Sequence, residues 1–354
     1  MILGVIKTAN DQRAPLVPAT LKKMTALGVE ILIEKGVGTA SNFADATYEN
    51  VTAASRSEVL KQSNILLTID LPTGKDLTQI PAETVVVGIF NPLNAPERLD
   101  DIKATDLRAF SLDMVPRTTL AQAMDVLSSM ASIAGYQAVL QAAQHLPRYF
   151  PMMITAAGSI KPARVLVLGA GVAGLQAIAT AKRLGAMVEA FDVRKAAKEE
   201  VQSLGAKFIE VEGAKDDTSA GGYAVEQSED FIKRQRAEVQ NRAMQSDVII
   251  TTAQVRGRKA PILVPATTVE KMKPGSVIVD LAASTGGNCE LTQDNQIIQH
   301  NGVTIIGDSN LANQKAQDAS TLLSNNFLNF LKLIVKDGAF IIDMENEILK
   351  AAKI

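Results

Sequence analysis

The residues with the clearest chemical purpose are Gly169-Ala170-Gly171-Val172-Ala173-Gly174, a G-x-G-x-x-G turn. It follows Arg164-Val165-Leu166-Val167-Leu168, which reads as a buried strand, and opens a helical pattern through Leu184 that stops at Gly185. The next apolar run ends at Asp192, eighteen residues beyond Gly174. Strand, glycine turn, helix and trailing acid together make the context of a dinucleotide site. Gly169 permits the tight turn, Gly171 lets a pyrophosphate approach the backbone, and Gly174 lets helix and strand pack closely. The helix N-terminus offers N–H groups and partial positive charge to the phosphates. Asp192 can accept hydrogen bonds from ribose hydroxyls and would repel a 2′-phosphate, which favours NAD(H) over NADP(H). Arg194 pulls the other way, because a nearby arginine can accommodate that phosphate.

A second polar group lies in Arg117-Thr118-Thr119-Leu120-Ala121-Gln122-Ala123-Met124-Asp125-Val126-Leu127-Ser128-Ser129. On a helix, Gln122, Asp125 and Ser128 or Ser129 share one face. Such a face could grip a carboxamide, with Asp125 as acceptor, Gln122 and Ser128 as adaptable partners, and Arg117 anchoring a phosphate or ribose. A solvated polar stripe at a helix start reads the same way.

The elements that must position these groups alternate between short apolar runs and helix-length segments, the pattern of βα units and parallel sheets. One series comprises strands near Ile2–Lys7, Val29–Ile33, Ile65–Ile69, Thr84–Gly88 and Arg108–Ser111, with a helix from about Pro18 to Leu27. A second runs from Arg164 through strands at Met187–Asp192, Lys207–Ile209, Val248–Thr252, Val277–Asp280 and Val303–Ile306. A long helix is expected over Leu120–Leu146 and another over Ala316–Leu333, the latter returning to the first series. The expected domains are 1–125 plus 316–354, and 126–315. Between them the chain is expected to form two Rossmann-like, doubly wound parallel-sheet α/β domains joined by long helices. The stretch Gly213–Gln245 reads as a polar insertion followed by a charged helix.

Composition narrows the function classes. At 354 residues the chain has room for two domains, and 36 basic against 38 acidic residues give no basic excess that would suggest nucleic acid as a partner. One cysteine, Cys289, leaves no disulfide framework and suits a reducing compartment. Two histidines, His145 and His300, are too few and too far apart to suggest a metal site. The apolar runs are interrupted by polar residues and fall short of the roughly 20 needed to span a bilayer, so a cytoplasmic protein is expected.

Further segments carry a family resemblance. Val115-Pro116-Arg117, Gln122 to Ser129, Ala134-Gly135-Tyr136, Phe150-Pro151-Met152-Met153 and Thr155-Ala156-Ala157-Gly158 precede the glycine turn. Phe191-Asp192-Val193-Arg194, Ala220-Gly221-Gly222-Tyr223-Ala224, Met272-Lys273-Pro274-Gly275-Ser276 and Gly286-Gly287-Asn288-Cys289 follow it. Together they resemble the NAD(H)-binding component, domain I, of the proton-translocating nicotinamide nucleotide transhydrogenases, most densely from about Val115 to Leu331. That superfamily also holds the alanine dehydrogenases.

The resemblance implies that Arg117, Gln122, Asp125 and Ser128 orient the dihydronicotinamide in a cleft between the domains, with Thr118 and Thr119 as further cofactor contacts. Ala170, Gly171 and Val172 fall on the pyrophosphate turn, and Asp192, Val193 and Arg194 on the adenosine side. Gly222 and Tyr223 fall on a loop that closes over the nucleotide, Gln235 on its far arm, and Gln254 on a further contact. It also implies a homodimer with an NADP(H)-binding partner subunit and a membrane-spanning proton-channel subunit, held peripherally at the inner membrane. Two other readings are a stand-alone alanine-type dehydrogenase and a non-catalytic NAD(H)-binding scaffold. Arg13 would suit a substrate carboxylate in the dehydrogenase, but its Lys and His would fall near Thr68 and Phe90-Asn91, where neither residue stands. Ser284 stands where the transhydrogenase family commonly has an acid.

Overall fold

The computed structural model describes residues 1–211 and 228–354. They form two compact units, Met1–Met130 with Ala312–Ile354, and Ala131–Leu311.

In the first unit, β1 (Ile2–Val5), β2 (Glu30–Glu34), β3 (Thr52–Ala54), β4 (Ile65–Leu67), β5 (Val85–Gly88) and β6 (Arg108–Ser111) make an all-parallel sheet in the order β3-β2-β1-β4-β5-β6. That is the doubly wound order, with its reversal between β1 and β4. Both faces are covered, which is why its central strands read as continuous runs of Val, Ile and Leu rather than alternating patterns. Helices α1 (Leu21–Thr25), α2 (Arg56–Gln62) and α3 (Asp100–Lys103) are short. Ser55 starts α2 with a capping box, its hydroxyl accepting from the Glu58 amide while Glu58 reaches back to the Ser55 amide. The β3 edge strand has no apolar pattern and was not expected.

The long helix expected over Leu120–Leu146 is two elements. Thr119–Met124 is a 3₁₀ turn, Asp125 leaves helical geometry at ψ 89°, and α4 (Val126–His145) begins afresh. The cause is the Asp125 side chain, which accepts from the Ser128 amide at 2.9 Å and from its hydroxyl at 2.6 Å. An aspartate offering an N-cap competes with continuation of the preceding turn.

In the second unit a small hairpin, β7 (Met153–Thr155) and β8 (Gly158–Ile160), precedes β9 (Arg164–Leu168) and α5 (Val172–Arg183). The chain then runs through β10 (Met187–Phe191), α6 (Ala197–Ser203), β11 (Lys207–Phe208), α7 (Glu229–Gln245), β12 (Val248–Thr251), α8 (Ala266–Val269), β13 (Val277–Asp280), β14 (Ile297–His300) and β15 (Val303–Ile306). The sheet order is β11-β10-β9-β12-β13-β15-β14, again doubly wound, with only the unexpected edge strand β14 antiparallel. Alternation along β9 sends Val165 and Val167 to one layer with Ala177 and Ile178 of α5, and Leu166 and Leu168 to the other with Val239 of α7.

The chain closes the first unit with α9 (Ala316–Ile334) and α10 (Glu347–Ala352). Leu323, Phe327, Phe330 and Leu331 of α9 are buried against one face of that sheet, Phe330 tilted on Phe110 with centroids 5.6 Å apart. Burying each such side chain contributes about 1.5–3 kcal/mol. Among the described residues, no helix is long and apolar enough to cross a membrane.

Candidate nucleotide site

The glycine turn joins β9 to α5 at the C-terminal edge of the second sheet, where β12 lies on the far side of β9 from β10 and the winding reverses. Open α/β sheets hold ligands at this position. Gly169 has φ of +102°, and a Cβ there would sit 2.5 Å from Thr252 Oγ1, which donates to the Gly169 carbonyl at 3.1 Å. A Cβ on Gly174 would lie 1.9 Å from that same carbonyl, so helix and turn meet there without a side chain. Gly171 differs: a Cβ there meets nothing within 4 Å. It is the N-cap of α5, no side chain caps the helix, and no acid stands in its first turn. The first N–H groups of a helix have no intrahelical acceptor. An exposed Gly171 and Val172 therefore present uncapped amides to open space, which fits a diphosphate.

Asp192 does not stand free at the end of β10. Its Oδ2 accepts from the Ala170 amide at 2.7 Å and from Arg194 Nη2 at 3.1 Å. Its Oδ1 accepts from the Arg194 amide at 2.8 Å and Arg194 Nε at 3.0 Å. Arg194 Nη2 also donates to the Ala170 carbonyl at 3.2 Å. The Asp192 hydrogen bond holds the Arg194 guanidinium above its usual pKa, against the opposing effect of burial. A carboxylate has about four acceptor positions, and all four are taken. The sequence suggests a carboxylate open to ribose; here a sugar hydroxyl has to displace Arg194 to reach it. Val193, between them, is 63% exposed.

A second carboxylate, missed by sequence reasoning, organises the next strand ends. Asp280, fully buried at the end of β13, accepts from Thr251 Oγ1 (2.8 Å), the amides of Ala282 (3.0 Å), Asn288 (2.7 Å) and Cys289 (2.9 Å), and Thr292 Oγ1 (2.7 Å). This fixes buried Asn288, whose Oδ1 accepts from the Ala253 amide at 3.0 Å. Its Nδ2 donates to the carbonyls of Ala253 (2.9 Å) and Pro261 (2.8 Å). Asn288 thus pins both backbone groups of the residue before Gln254, whose own Nε2 donates to the Leu281 carbonyl at 2.7 Å. The signal available in sequence was an aspartate ending a strand, as at Asp192, followed by Gly286-Gly287. Ser284 is exposed on the 3₁₀ turn Ala283–Thr285, a turn that forms without an acid there.

The polar group in the first unit is arranged differently from its expected form. Gln122 lies in the 3₁₀ turn and Asp125 outside any helix, so Gln122, Asp125 and Ser128 do not share one α-helical face. Asp125 and Ser128 are bonded to each other at the N-terminus of α4. Arg117, Thr118, Thr119 and Gln122 are exposed, and the side chains of Arg117 and Gln122 make no hydrogen bond among the described residues. Gln235 lies half-buried in α7, and no hydrogen bond ties it to the turn among the described residues. Gly222 and Tyr223 fall outside the described residues.

Comparison with known proteins is consistent across the chain. Residues 6–134 match the family described as alanine dehydrogenase/PNT, N-terminal domain, and residues 138–354 match its C-terminal domain. The first of the separately encoded pieces of the NAD(P) transhydrogenase alpha subunit of Rhodospirillum rubrum is 44% identical over 335 residues, covering 91% of this chain and 86% of that protein. Its namesake from Rickettsia prowazekii is 41% identical over 351 residues, covering 97% and 91%. A transhydrogenase structure from Sinorhizobium meliloti superposes with a TM-score of 0.92 at 39% identity, covering 100% of this chain and 98% of the other. The chain belongs to the alanine dehydrogenase/PNT family, on its NAD(P) transhydrogenase alpha-subunit branch.

Proposed function

We propose that this chain binds NAD(H) and exchanges hydride with NADP(H) carried on a separate subunit of a proton-translocating transhydrogenase. The observation that carries this reading is the uncapped N-terminus of α5 behind Gly171, with Asp192 bonded to the same turn at Ala170. The amides of Ala170, Gly171 and Val172 and the close packing at Gly169 and Gly174 serve the diphosphate. Asp192, Val193 and Arg194 serve the adenosine ribose, with Asp192 selecting the unphosphorylated sugar. Gln254, on the loop pinned by Asn288, is a further contact. The loop through Gly222 and Tyr223, with Gln235 beyond it, covers the bound nucleotide.

Gln122 and Arg117 hold the nicotinamide end, with Thr118 and Thr119 beside them, and the Asp125–Ser128 pair fixes where their segment meets α4. A neutral amide can orient the carboxamide and leave the ring face open. Hydride transfer between two nicotinamides needs no acid or base, so the protein's role is alignment of the reacting carbons to ~3–3.5 Å and exclusion of water.

The chain acts as a homodimer, peripheral to the inner membrane, with an NADP(H)-binding subunit and a membrane-spanning proton-channel subunit. The dimer is supported by the β7–β8 hairpin, around which Met152 (62%), Ile154 (72%) and Tyr149 (54%) stand exposed. Amino-acid dehydrogenation is disfavoured because Arg13 is committed to Asp11 at 2.9 and 2.6 Å, while buried Thr68 donates to the Asp70 carbonyl at 2.7 Å. Asn91 is paired with Asn94, so none of these positions supplies a proton carrier.

The test is oxidation of NADH by an NADP⁺ analogue with and without the cognate NADP(H)-binding subunit. Transfer is expected only with the subunit. NADH binding without transfer would instead make the chain a scaffold, and NADH oxidation by pyruvate with ammonium would make it an amino-acid dehydrogenase.

A further inference from the structure

The segment that carries Gln122 is held by α9 through a contact outside the cofactor contacts assigned above. Asn326 is 5% exposed and faces the layer formed by Leu323, Phe327 and Phe330, yet its Nδ2 donates at 2.9 Å to the carbonyl of Ala123, the residue after Gln122. Asn329, one turn further along α9, donates to the same carbonyl at 3.3 Å. The carbonyls that end a helical turn lack intrahelical partners, and here the chain leaves the 3₁₀ geometry at Asp125. Asn326 Oδ1 is buried without a partner among the described residues. A half-satisfied amide in an apolar layer is costlier than a Leu or Met of similar size, so packing alone does not account for it.

The same helix ties down other backbone of the first unit. Ser320 Oγ accepts from the Ala14 amide at 2.8 Å, and Ser324 Oγ from the Val17 amide at 3.2 Å. Helix α9 is thus a frame from which side chains reach irregular backbone. At Ala123 the clamped atom lies between the exposed Gln122 and the Asp125–Ser128 cap. With the carbonyl held on one side and the cap on the other, the backbone that follows Gln122 is fixed while its side chain stays in solvent.

We propose that Asn326, assisted by Asn329, is a positioning residue for hydride transfer, setting the backbone from which Gln122 reaches the carboxamide. This rests on the role assigned to Gln122. It predicts a split between chemistry and binding. Loss of the clamp leaves the diphosphate turn of the second unit untouched, so NADH affinity holds, while a displacement of about 1 Å at Gln122 costs about 100-fold in transfer.

The test uses the full chain reconstituted with its cognate NADP(H)-binding subunit, comparing Asn326→Ala, Gln122→Asn and the double variant in single-turnover transfer at saturating nucleotide. The expected result is a fall of about tenfold or more for each single variant, NADH affinity retained, and a double variant little worse than either, because both act on one contact. Hydrogen–deuterium exchange of the isolated chain should show faster exchange over 117–125 while α9 stays protected. Exposed Asn329→Ala gives the same signature more weakly, which covers the case in which Asn326→Ala fails to fold. If Gln122→Asn slows transfer but Asn326→Ala does not, or the two losses multiply in full, the clamp is overturned and the nucleotide reading stands. If Gln122→Asn itself leaves transfer unchanged, the assigned role of Gln122 falls, and the clamp falls with it.

Discussion

Replacing Asp192 with Asn tests how the protein chooses its nucleotide. The carboxylate takes four hydrogen bonds, from the Ala170 amide, the Arg194 amide, and Arg194 Nε and Nη2. An amide keeps one acceptor oxygen and places an NH₂ against one of those donors, so either the turn or Arg194 loses its partner. Arg194 is 40% exposed in its ion pair and can turn to solvent, so that loss is discounted as a surface pair. The larger effect is on ligands. A ribose hydroxyl bonded to a charged acceptor contributes about 1.5–3 kcal/mol, so NADH should bind about 10–100-fold more weakly. For NADPH the sign reverses. A carboxylate about 4 Å from a 2′-phosphate costs about 4 kcal/mol per unit charge near a protein surface, and the variant removes that cost while freeing a guanidinium. The NADH:NADPH preference should therefore fall by at least about 100-fold in Asp192→Asn. Calorimetric titration of both nucleotides into wild type, Asp192→Asn and Arg194→Ala reads this directly. Arg194→Ala should hold or improve NADH affinity, because it uncovers the carboxylate. An unchanged preference in Asp192→Asn, or an equal loss of NADH affinity in both variants, would refute the reasoning.

Other consequences can be checked with the chain alone. A Cβ on Gly135 would lie 2.1 Å from the Ala173 carbonyl, so Gly135→Ala should push α4 from the start of α5, cost about 1–3 kcal/mol and lower the melting temperature; an unchanged melt contradicts that packing. Asn288→Ala strips both partners from Ala253, and each buried backbone group left unpaired costs about 1–3 kcal/mol. Calorimetry on the folded variant should show weaker NADH binding, and wild-type affinity would remove Asn288 from the site. Burial pushes the Cys289 thiol up from 9.0 to about 11, so it should resist alkylation at pH 8 until the protein unfolds. Because the folded value is the higher one, the resulting stability is present below about pH 9 and lost as pH rises through about 11. Urea melts on either side of that window should show the decline.

The glycine turn was legible because its components are local: a buried strand, three glycines and an acid fall within one stretch of chain, and each has a single physical reason to be there. The central strands were legible because covered sheets select β-branched runs. What was missed has specific causes. Strand β14 is an exposed edge with a weak pattern, though its turn carried a signal in Asn301-Gly302, both at positive φ as a type I′ hairpin requires. The break at Asp125 was hidden because apolar spacing runs on through a 3₁₀ turn, and only the bond from Asp125 to Ser128 shows that a new helix starts. The engagement of Asp192 by Arg194 depends on a side-chain conformation, which spacing does not encode. The Asp280–Asn288 lock joins Thr251, Ala253, Pro261 and Thr292, residues that only the folded sheet brings together.

The most direct test of hydride exchange between two bound nucleotides is isotopic. NADH deuterated at the transferable C4 position is mixed with the chain, its NADP(H)-binding subunit and an NADP⁺ analogue, and the reduced analogue is analysed by mass spectrometry after one turnover. Transfer between two aligned rings requires the deuterium to appear undiluted in the product. Deuterium lost to solvent, or no labelled product although NADH is bound, would contradict the account.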